Sequence, residues 1–145
     1  MALLDPTPSP WTGRMRSVVR IIVGLAFFVH GTAKLFGFPG DGQPVPWASL
    51  LGLAGLLETV GGLAIALGLF TRPVAFVLAG EMAVAYFMAH FPKSFWPAAN
   101  GGEPALLFCF FFLYLVFAGP GDWSLDAGLA RSRGGTVDTP RAAAR

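Results

Sequence analysis

Cysteine is almost absent: Cys109 is the single one in 145 residues, which excludes an internal disulfide, a CxxC redox pair or a thiolate zinc cluster within one chain. A thiol relay would therefore need a partner. Histidine is nearly as scarce, at two residues, and neither sits in a ligand-spacing motif, so no metal site is expected. There is no nucleophile elbow, phosphate loop or dinucleotide fingerprint. No catalytic residue is assigned, and the chain is not expected to be catalytic alone. Charged side chains make up only 12% of the sequence. The net charge of +2 comes largely from arginines scattered over the two tails and one short loop, not from a stripe on a folded face, which excludes a nucleic-acid surface.

What is abundant is apolar side chain, 54% of residues, with a mean hydropathy of +0.63. Ordinary soluble domains are less apolar and more charged, so the lipid bilayer is the expected solvent. The expected architecture is an all-α membrane protein, a four-transmembrane-helix bundle, with spans at about 18–36, 47–70, 74–91 and 104–119 inside a membrane domain over 18–123. Residues 1–17 read as a flexible cytoplasmic tail, rich in Pro and Ser at its start. Residues 124–145 read as a short helix on the inner surface followed by a disordered cytoplasmic tail.

Two alternatives compete with this plan. The basic start leading into an apolar run also fits a signal peptide, although the continuing hydrophobic segments favour a span. The fourth run is short enough to be re-entrant, and charge decides for a crossing. With four crossings Arg14, Arg16, Arg20, Arg72, Arg131, Arg133, Arg141 and Arg145 all fall on one side, leaving Lys34 and Lys93 towards the other. Both termini are therefore expected in the cytoplasm. Trp11, Trp47, Trp96 and Trp123 all lie beside the ends of apolar segments, where indoles favour the membrane interface.

A carboxylate near the bilayer centre costs at least ~2.5 kcal/mol on insertion scales, so each needs a partner. Glu58 and Glu81 fall near the middles of the second and third spans, and Lys34, one turn after His30, is the cation in reach. Two readings stand side by side: a polar pin that fixes helix register, or a binding and proton-handling cluster. A second polar set, His90, Lys93, Asn100 and Glu103, follows the third span. "NGGEP" reads either as a turn and helix start or as part of an outer binding vestibule. The full candidate cluster is His30, Lys34, Glu58, Glu81, His90, Asn100 and Glu103. Gly24, Gly31, Gly61 and Gly62 are expected to let helices approach closely. Axial haem ligation by His30 and His90 is disfavoured by the lack of a motif.

The runs "RIIVGLAFFVHGTAKLFGFPG", "LETVGGLAIALGLFTRPVA", "EMAVAYFMAHFPKSFWPAANGGEPALLF" and "GPGDWSLD" resemble the DoxX family of small bacterial membrane proteins. The resemblance covers nearly everything between Arg20 and Asp126, and the polar residues recur in order. It implies a compact four-helix bundle in the bacterial inner membrane. Function is implied loosely, by analogy with the small subunits of a thiosulfate:quinone oxidoreductase. The expectation is an accessory or scaffold subunit of a quinone-linked or oxidative-stress redox system, with a membrane or soluble oxidoreductase, or a second copy of the chain, as partner. Quinone is the candidate cofactor, though none is firmly implied. A small-molecule or proton carrier using Glu58 and Glu81, and a purely structural partner-binding bundle, are the alternatives.

Overall fold

The computed structural model describes residues 9–134, and all regular secondary structure among them is helical. Helix α1 runs Thr12–Phe36, α2 Leu50–Leu67, and α3 Thr71–Ala85 continues into a π-helical turn, Tyr86–His90. A single turn α4, Pro97–Asn100, precedes α5, Glu103–Ala118, and α6, Leu125–Gly134, closes the described chain. Three helical stretches, Thr12–Phe36, Leu50–Leu67 and Thr71–His90, are long and apolar enough to cross a membrane. With 16 residues, α5 reaches only about 24 Å against a hydrocarbon core of about 30 Å.

The helix ends follow from local chemistry and correct the expected bounds. α1 begins at Thr12, inside the stretch 1–17 expected to be flexible, because residues 12–17 are tied down. The Ser17 hydroxyl donates to Gly13 O at 3.0 Å and accepts from Trp123 N at 3.0 Å, and Arg16 donates to Ala118 O. α2 begins at Leu50, not at residue 47, since Ser49 serves as N-cap and accepts from Gly52 N at 3.0 Å. It stops at Leu67 because Gly68 takes a left-handed φ of 68°. α3 begins three residues early, at Thr71, where the Asp126 carboxylate accepts the backbone N–H groups of Phe70 and Thr71 at 2.8 Å each. The tail expected at 1–8 and the disorder expected over 135–145 lie outside the described residues.

α1 packs along α2, and α3 along α5. The α1/α2 contact depends on glycine: a Cβ on Gly24 would sit 2.6 Å from Ala66 N, and Gly31 abuts the Gly55 carbonyl and Thr59. Gly62 lies against the Phe28 backbone, while Gly61 faces the Leu78 side chain of α3. Gly24→Leu is expected to force the helices apart and cost about 1–3 kcal/mol, as overpacking does. A lowered melting temperature of the detergent-solubilised protein checks it.

Phe27, Ile65, Leu78, Phe112 and Leu115 fill the centre, with Phe27 edge-on to Phe112 at 4.8 Å between ring centroids. Ile22, Val60, Phe76, Leu107 and Phe117 point outwards and are exposed. An apolar exterior around buried polar groups is the pattern of a bundle solvated by lipid.

Arg20 departs most from expectation. Read from sequence as an orientation signal, it is fully buried. Its Nε donates to Pro120 O at 2.7 Å, Nη1 to Ile65 O and Ala66 O, and Nη2 to Trp123 O. Arg72 reaches Val116 O at 2.9 Å. Arginine side chains thus clasp the carbonyl ends of α2 and α5, where cations and donors are favoured. This is the arginine end of the bundle; Lys34 lies towards the other.

Candidate functional site: an ion pair between two cavities

Lys34 stands in the last turn of α1 and Glu58 in the middle of α2, where it is 2% exposed. The glycines explain how they meet. With no side chain at Gly31 or Gly55, α1 and α2 come close enough that a Cβ on Gly55 would lie 3.1 Å from Lys34 Cβ. The Lys34 stem then carries its ammonium onto Glu58 Oε1, forming an ion pair. Glu58 Oε2 is enclosed without a hydrogen-bond partner, and so are both carboxyl oxygens of Glu81 on α3. Buried polar atoms are nearly always partnered, so three such oxygens close together require an explanation.

Lys34 and Glu58 border two cavities. The first, of about 340 Å³, lies between α2 and α3 and is bordered by Lys34, Leu53, Glu58, Glu81, Val84 and Met88. Leu53, Val84 and Met88 are exposed on the bundle exterior, so this cavity opens sideways, towards lipid. Leu57 and Val77 also border an apolar groove of about 560 Å³ that continues past Val60 and Val74 to Phe70 at the arginine end. The second cavity, about 250 Å³, is bordered by His30, Lys34, Glu58, His90, Ala105 and Phe108.

Five of the seven residues picked out from the sequence therefore gather around the two cavities: His30, Lys34, Glu58, Glu81 and His90. Asn100 and Glu103 do not border either. Asn100 is buried and braces the loop, donating Nδ2–H to Ser94 O at 2.8 Å and accepting from Gly102 N at 2.7 Å. Its carbonyl faces His90 Nδ1 at 3.2 Å. Glu103 opens α5, with Pro104 in the first turn, and borders a separate hollow beside Trp96 and Leu107. His30 and His90 share a cavity, but 250 Å³ falls below the ~300–1,000 Å³ of sites for drug-sized ligands. Among the described residues no cluster of three or more His, Cys, Asp or Glu could hold a metal ion.

The sequence profile of the DoxX family matches residues 15–91, from the start of α1 through the π-helical turn. The chain belongs to the DoxX family. The matched region carries all five cavity residues, while α5 lies beyond it. Among the relatives of this DoxX protein is an uncharacterised protein of Haemophilus influenzae, 46% identical over 114 residues, covering 74% of this chain and 85% of the relative. An uncharacterised membrane protein of Mycobacterium tuberculosis is 30% identical over 131 residues, 78% of this chain and 80% of that one. The inner membrane protein YqjF of Escherichia coli is 34% identical over 116 residues, 75% and 87% of the two chains. No solved structure matches. Family and helices together make this an integral membrane protein.

Proposed function

We propose that this DoxX protein is an accessory subunit of a redox system in the bacterial inner membrane, which takes a quinone-class molecule from the bilayer and handles its protons. The observation that carries the reading is the set of three unpartnered carboxyl oxygens, on Glu58 and Glu81, in the wall of a cavity open to lipid. A carboxyl group accepts from a ligand hydroxyl when ionised and donates to a ligand carbonyl when protonated, and Lys34 adds a further donor. That set suits a head group alternating between carbonyl and hydroxyl. The apolar groove running on from the cavity has room for a hydrocarbon tail. The electrons would come from and go to a partner oxidoreductase, since no redox centre is evident in the residues themselves.

The topology that goes with this reading has four crossings and both ends in the cytoplasm. Arg14, Arg16 and Arg72 gather at one end of the bundle and Lys34 and Lys93 towards the other, which supports it. α5 packs along α3 as a fourth apolar helix, and relatives in Escherichia coli are named inner membrane proteins.

Titration of decylubiquinone into the protein in lipid nanodiscs, followed by tryptophan fluorescence, tests the ligand. Saturable binding is expected for the native chain. Glu81→Gln is expected to weaken it about 10- to 100-fold, the worth of a charge-assisted hydrogen bond. Absence of saturable binding, or equal affinity in the variant, overturns the reading in favour of a carrier or a structural bundle.

A further inference from the structure

The proposed ligand occupies the larger cavity, and the smaller one is lined by four titratable side chains. Lys34 and His30 enter from α1, Glu58 from α2 and His90 from the π-helical turn, whereas α5 contributes only apolar groups, Pro104, Ala105 and Phe108. Glu81 lies on the far side, in the lipid-facing cavity. A space of about 250 Å³ holds several waters, and water occupies a cavity when polar partners surround it. His30, Gly101 and Pro104 at its rim are exposed, so it opens beside α4, between α1 and α5.

We propose that this cavity is a hydrated passage by which water-borne protons reach Glu58 from the Lys34 end of the bundle. Glu58 is the meeting point. Its Oε1 is held by Lys34, and its Oε2, enclosed and without a partner, is free to take a hydrogen bond or a proton. His90 is placed to serve the passage. A π-helical turn adds a residue to the last turn of α3, a device common at functional sites. With Nδ1–H donating to Asn100 O, the other ring nitrogen of a neutral His90 remains a proton acceptor. Met82 and Ala85 border both cavities, so lipid on one side and water on the other are separated by little more than the ion pair. As a route for the protons of a bound quinone the passage rests on the function proposed above; as a water route to Glu58 it stands without it.

Ala85→Cys, made with Cys109→Ala in nanodiscs, puts a small reporter thiol between the cavities. A permanently charged methanethiosulfonate is expected to modify it within about tenfold of the rate at Lys93→Cys in an exposed loop. Adding Ala105→Phe, which fills the passage, is expected to slow the charged reagent about tenfold or more while leaving an uncharged, lipid-soluble maleimide unaffected. Ala105→Leu replaces it if the larger side chain prevents folding. The proposal is overturned if only the uncharged reagent reacts at Ala85→Cys, or if filling the passage leaves the charged rate unchanged. Loss of decylubiquinone binding with normal charged-reagent access would remove the quinone reading and leave the passage standing.

Discussion

Arg20→Ala is expected to lower the melting temperature of the detergent-solubilised protein by on the order of 10 °C, a larger loss than any single apolar truncation on the bundle exterior. The guanidinium is fully buried and donates to four separate carbonyls, those of Ile65, Ala66, Pro120 and Trp123. Its removal strips them of a donor, with the Ile65 and Ala66 carbonyls in the buried interior, and it leaves a cavity as large as the side chain. Stranded buried acceptors cost about 1–3 kcal/mol each before relaxation, so a net loss of about 3–5 kcal/mol is a conservative sum. The loss should also be global. Arg20 ties the end of α2 to the segment after α5, and Asp126 of that segment caps α3. Arg20→Lys keeps the charge but presents a point donor in place of a planar fork, so an intermediate melting temperature is expected. A melting temperature unchanged in Arg20→Ala would mean that the carbonyls find other donors and that the clasp contributes nothing.

The burial of Arg20 was readable from a stripe on α1. Arg20, Gly24, Phe27, Gly31 and Lys34 recur at three- and four-residue intervals on one face of α1. A face that carries glycines for close helix contact is an inner face, and a cation on it is bound to protein. Counting arginines for orientation treated Arg20 like Arg14 and hid this. The meeting of Lys34 with Glu58 was legible for the converse reason: a buried carboxylate needs a partner, and no other cation lay within a side chain's reach. The cavities were not legible. They depend on how α2 and α3 pack beside Glu81 and on the π-helical turn that carries His90, and neither leaves a periodicity in the sequence. Asn100 and Glu103 border neither cavity: Asn100 braces the loop and Glu103 stands in the first turn of α5.

Lys34→Met is expected to destabilise the protein by about 3 kcal/mol, because it leaves Glu58, 2% exposed, as an acid with neither oxygen partnered. Glu58→Gln alone should cost less: an amide oxygen can still accept from the lysine, whose side chain is 32% exposed and keeps some access to solvent. The double variant Lys34→Met with Glu58→Leu is expected to recover most of the loss, as replacing both members of a buried pair by apolar groups often does. Thermal melts of the native chain, Lys34→Met, Glu58→Leu and the double variant give the coupling energy, expected at about 1–3 kcal/mol. An additive cycle would mean that the pair contributes nothing as a pair. The same four proteins separate the two readings of the cluster. A pin that only fixes helix register predicts that the stabilised double variant is indistinguishable from the native chain in every assay. A site predicts that it folds as well as the native chain and has lost decylubiquinone binding, because two of the three groups that would receive the head group are gone while the apolar groove is intact. Stability regained without binding regained is the outcome expected here, since Glu81 keeps both its carboxyl oxygens enclosed and unpartnered, an arrangement that a purely structural pin has no use for.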